Sequence, residues 1–78
     1  MSYPISEGAK RPYHLWNANE KKAMRWRYYG DPKRAHMGAL IECRWAKVGT
    51  TVEVFNAING RLLGQYTRTP TSIRFQGE

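Results

Sequence analysis

The stretch Asn17-Ala18-Asn19-Glu20-Lys21-Lys22-Ala23-Met24-Arg25-Trp26-Arg27-Tyr28-Tyr29-Gly30-Asp31-Pro32 decides how the rest of this sequence is read. Its first four residues match a capping box, with asparagine at the N-cap and glutamate at the third helical position. Ala18, Glu20, Lys21, Lys22, Ala23, Met24 and Arg25 are good helix formers. Gly30 suits the left-handed residue that ends a helix, and Pro32 forbids continuation. The pattern predicts a helix over about residues 18–29. At about 100° per residue, Lys21, Lys22, Arg25, Tyr28 and Tyr29 share one arc, while Ala23 and Trp26 fall on another.

Downstream of Gly38 the period changes from 3.6 to 2. Ile41, Cys43 and Trp45 alternate with Glu42 and Arg44, which predicts a half-buried strand at about 39–46. Further strands are expected at about 51–56, 61–67 and 72–76, the middle pair joined across Asn59-Gly60. A two-residue turn there mixes polar and apolar residues on both faces of the hairpin. A left-handed Gly60 in a three-residue loop shifts the pairing by one. Val52 then faces Tyr66, Glu53 faces Gln65, Val54 faces Gly64, and Phe55 pairs with Leu63 on the outer face. That register separates the faces as a half-buried sheet requires. The expected inner set is Ile41, Cys43, Trp45, Val52, Val54, Leu62, Tyr66, Ile73 and Phe75, covered by Trp26 and Ala23, with Leu15 and Trp16 as a lid. The outer face (Glu42, Arg44, Glu53, Gln65, Arg74) carries no alternating aromatic beyond Phe55, unlike the sheet of an RNA-recognition module.

Upstream, residues 1–16 are expected to form an extended arm, because Pro4, Gly8 and Pro12 oppose regular structure. Residues 17–78 then form a single α+β domain: one N-terminal helix packed on a four-stranded antiparallel meander, open or curled into a small barrel. A chain of 78 residues leaves no room for a second domain, a deep substrate cavity or a large cofactor.

Chemistry is sparse. The one cysteine, Cys43, excludes an intramolecular disulfide, and His14 and His36 make no ligand spacing, so no metal or cofactor is expected. No predicted element holds a carboxylate pair, and Asp31 belongs to a turn, so the chain is not expected to be an enzyme. No signal peptide or apolar span is visible, and the expected location is the cytoplasm, with no membrane partner.

Charge is the informative quantity. Residues 10–34 hold eight basic and two acidic side chains, so they supply six of the chain's seven net positive charges. A polyanion is the natural complement of such a field. The expected binding set is Lys10, Arg11, Trp16, Lys21, Lys22, Arg25, Tyr28, Tyr29, Lys33 and Arg34: cations for phosphate, rings for bases. These residues suggest two functions. The first is a small accessory protein that binds nucleic acid, DNA or RNA, with low sequence specificity. The alternative is an inhibitor or adaptor of the phage or plasmid type, docking on an acidic patch or nucleic-acid channel of a larger host enzyme. A homodimer joined through the last strand is a further possibility for so small a domain.

Overall fold

A computed structural model describes residues 3, 5 and 8–77, the side chains of Arg25 and Trp26 excepted. The arm's Pro4 therefore lies outside the described residues. Five strands and one helix run in the order β1 (Tyr13–Asn17), β2 (Lys22–Tyr29), α1 (Pro32–Arg44), β3 (Thr51–Asn56), β4 (Arg61–Arg68) and β5 (Ile73–Gly77). They form one open sheet, not a barrel, ordered β2-β1-β3-β4-β5, with every neighbouring pair antiparallel. The α+β class and the last three strands agree with expectation. The helix at 18–29 and the strand at 39–46 do not: the first region is a turn and a strand, the second mostly helix.

Local chemistry explains the first exchange. The Asn17 Oδ1 accepts hydrogen bonds from the backbone N–H groups of Asn19 and Glu20, each at 3.0 Å, and its Nδ2 donates to Glu20 Oε1 at 3.2 Å. The two bonds accepted by Asn17 Oδ1 are those of an N-cap, but here they close the β1–β2 turn, which Lys21 completes in the left-handed region at φ 56°. An asparagine side chain satisfies a turn as readily as a helix start. Asn19 then ties the turn to the segment that enters β3, accepting from Thr51 N at 2.7 Å and donating to Gly49 O at 3.1 Å.

The second exchange is a matter of direction. Gly30-Asp31-Pro32, read as a helix stop, is a helix start. Asp31 is the N-cap, its carboxylate accepting from Lys33 N at 3.0 Å, and Pro32 stands in the first turn, where its missing N–H costs nothing. Topology requires a long connection here. Because β1 is antiparallel to both β2 and β3, those two strands run parallel, and a parallel connection needs a dozen or more residues. The 13-residue α1 is that crossover.

The helix lays Ala35, Ala39 and Cys43 on the sheet, all fully buried with Leu15, Val52 and Val54. The spacing of four residues puts these small side chains on one stripe, so the helix sits close to the strands. Gly38 extends the close approach, since a Cβ there would fall on the Tyr29 phenol. His36 continues the seam, its Nδ1 3.0 Å from the Tyr66 hydroxyl. Val52, Val54 and Cys43 are buried as expected. Trp45, Ile41 and Phe75 are exposed, and Leu62, Tyr66 and Ile73 are only half-buried. Leu15 is not a lid but part of the interior strand β1, between β2 and β3, which takes in the last four residues of the stretch read as an arm.

The β3–β4 register is the expected one as far as Val54: Val52 faces Tyr66, Glu53 faces Gln65 and Val54 faces Gly64. Gly60 is left-handed, at φ 72°. A bulge then intervenes, so Phe55 pairs with Leu62 rather than Leu63, and the loop is the four-residue 57–60. The bulge and the longer loop together leave the inner pairs where a three-residue loop would put them.

Candidate functional site

Lys21, Lys22, Arg25, Tyr28 and Tyr29 do not form one helical face, because they lie in a β-hairpin. Lys21 and Lys22 are exposed at the turn end of the sheet, with Lys22 3.8 Å from Glu20. Tyr28 and Tyr29 point to opposite faces of β2. Tyr29 packs into the core beneath α1, and Trp16 is only 7% exposed. Arg25 lies within β2, its side chain outside the described residues.

Four of the cations converge. Tyr13 pairs with Tyr29, so the segment entering β1 runs beside the segment leaving β2. The carbonyl of Lys10 lies 3.9 Å from where a Cβ of Gly30 would stand. Lys10, Arg11, Lys33 and Arg34, all exposed, therefore crowd one end of the sheet together with the N-terminus of α1. The acid there, Asp31, is occupied as the cap. Lys22 pairs with Asn17, four strand steps along β1 from Tyr13, or about 13 Å. That exceeds the ~8 Å screening length at physiological salt, so the two ends act as separate charge groups.

The face of the sheet opposite α1 was expected to be poor in aromatics. It is not, because the hairpin 13–29 adds His14, Trp16 and Tyr28 to Phe55. Tyr28 stacks obliquely on His14, centroids 4.4 Å apart at 53°, and His14 meets Phe55 edge-on at 5.5 Å. Tyr3 lies flat on Phe55 at 4.5 Å and 8°, touches Trp16 at 5.4 Å, and donates to Glu53 Oε1 at 2.6 Å. Phe55 and Trp16 are thereby covered, while Tyr28 stays 40% exposed beside the Lys10-Arg11 end. The signal for this surface was present in sequence as the alternation Tyr13-His14-Leu15-Trp16.

Burial lowers the His14 pKa, partly opposed by its hydrogen bond to the Arg11 carbonyl at 2.9 Å. The unfolded chain, with a histidine pKa of about 6.5, takes up the proton first as pH falls. Stability is thus full above about pH 6.5 and declines as pH drops toward the folded-state value. Urea midpoints at pH 7.5 and 5.5 should fall less in His14→Phe than in the wild type.

Burial pushes the Cys43 thiol up, with Arg68 opposing weakly, and its Sγ lies 3.6 Å from the Tyr66 carbonyl. Among the described residues no group of three His, Cys, Asp or Glu could hold a metal ion, and no helix is long and apolar enough to cross a membrane. An open depression of about 580 Å³ beside β2 is bordered by Arg27 and Glu42, which pair with each other at 2.7 Å. No family model, curated protein or solved structure matches this chain.

Proposed function

We propose that this protein is a non-catalytic nucleic-acid-binding protein of low sequence specificity, acting through the corner where β1 begins, β2 ends and α1 begins. The observation that carries this reading is that Lys10, Arg11, Lys33 and Arg34, all exposed, lie at the sheet end where Tyr28, 40% exposed on the face opposite α1, packs on His14. Four cations and a helix N-terminus suit phosphates, and Tyr28 offers a π face to an unpaired base. The corner offers cations and a ring, so affinity should depend on charge and stacking.

Anisotropy with labelled single- and double-stranded oligonucleotides tests the reading. Four neutralised phosphates give a slope of log K against log salt of about −3 to −4. Arg11→Glu with Arg34→Glu should weaken binding at least about 100-fold. Lys21→Glu with Lys22→Glu makes the same change in net charge at the other end and should cost far less. Equal losses in both variants mean that only net charge matters, and the assigned corner is wrong. Absence of binding at low salt overturns the function itself.

A further inference from the structure

The helix turns its large apolar side chains away from the core. Trp45, its C-cap residue, is 82% exposed, and Met37, Leu40, Ile41 and Val48 range from 44 to 57% exposed. With Ala39 taken as facing the sheet, the outward arc of α1 reads Leu40, Lys33, Arg44, Met37, Ile41, Arg34 and Trp45 in order around the axis. Met37 and Ile41 occupy its centre. Lys33 and Arg44 flank one side, Arg34 flanks the other, and Lys47 stands in the next turn, all exposed. The acid of this helix, Glu42, is turned away and bonded to Arg27 at 2.7 Å.

We infer that this face docks on an acidic protein, one presenting an apolar groove bordered by carboxylates. Contiguous exposed apolar side chains of this size mark an interaction surface. Trp, Met and Arg are the residues that interface centres favour. The basic flanks select the partner's sign. They also disfavour a second copy: two α1 helices packed about a two-fold axis bring Lys33 and Arg34 against Arg44 and Lys47 of the other chain, between molecules of net charge +7. Nucleic acid suits the face less well, because Trp45 is its one ring, and Met37, Leu40, Ile41 and Val48 offer no surface on which a base could stack. The surface is distinct from the corner assigned to nucleic acid and shares only Lys33 and Arg34 with it.

Two synthetic helical peptides of equal length test the inference, each with a leucine stripe, one flanked by glutamates and one by lysines. Calorimetric titration of the full chain should show binding of the Glu-flanked peptide alone. Trp45→Ala and Ile41→Ser should each weaken that binding at least about tenfold, the scale of an interface hot spot. Both variants should keep the wild-type melting curve and oligonucleotide affinity, so failure here is separable from failure of the nucleic-acid reading. The inference is overturned if neither peptide binds, if both bind equally, or if the variants leave the titration unchanged. It is also overturned if the wild type sediments as a dimer that Trp45→Ala dissociates, or if the face binds anionic phosphatidylserine vesicles in preference to the Glu-flanked peptide.

Discussion

Phe55→Ala should lower the stability of this domain by about 3–5 kcal/mol, the usual cost of deleting a fully buried phenylalanine. The ring is wholly buried on the face of the sheet opposite α1, with Tyr3 flat against it and His14 and Trp16 at its edges. Truncation leaves Tyr3 and Trp16 lining a void that Ala57 and Ala23 are too small to fill. A domain of this length has a net stability of only a few kcal/mol, so much of the variant should be unfolded at 25 °C. Trp45→Ala, by contrast, removes a larger ring and should change stability by no more than about 0.5 kcal/mol, because that ring already faces water. Urea midpoints of the two variants measured side by side decide the matter. If Trp45→Ala proves the more damaging, Trp45 belongs to the core and its placement on the outward face is wrong.

That contrast shows where the sequence was legible. The β3–β4 hairpin could be read closely, because its parity rests on local alternation and on one glycine, both visible in the chain. The hairpin 13–29 could not, because the Asn17 side chain accepts the same backbone N–H bonds at a β-turn as at a helix start. Only the residues beyond Glu20 distinguish the two, and there the helix formers Lys21 to Arg25 mask the strand-favouring aromatics of Trp26-Arg27-Tyr28-Tyr29. Within β2, four residues, Met24 to Arg27, oppose the single Leu15, so no period-2 pattern survives to be recognised. The helix was hidden for a different reason. A helix is normally found by a stripe of large apolar residues, and here the buried stripe is Ala35, Ala39 and Cys43. The large residues lie outside it, and Ile41, Cys43 and Trp45 happen to alternate. Of the residues proposed for binding, the cations stand out by composition alone. Their division between the two ends of the sheet depends on strand pairing between distant segments, which no local pattern encodes.

The same inversion of α1 yields the second large effect. Ala39→Leu should destabilise the protein by about 1–3 kcal/mol, even though leucine is larger, more apolar and an excellent helix former. Ala39 has no exposed surface and lies between Ala35 and Cys43 against Leu15, Val52 and Val54. Three more carbons there must lift the helix from the sheet or drive β3 side chains from their rotamers, because a close-packed interior has no room to absorb them. Two positions further along, Ile41→Ala deletes three carbons from the outward face and should move stability by no more than about 0.5 kcal/mol. A conventional amphipathic helix gives the opposite pair of results: enlarging the alanine face is harmless, and truncating the isoleucine costs about 2–5 kcal/mol. Measuring both variants therefore fixes the rotation of α1 about its axis. If the conventional pair is found, Met37, Ile41 and Trp45 belong to the core, and the docking face proposed on them does not exist.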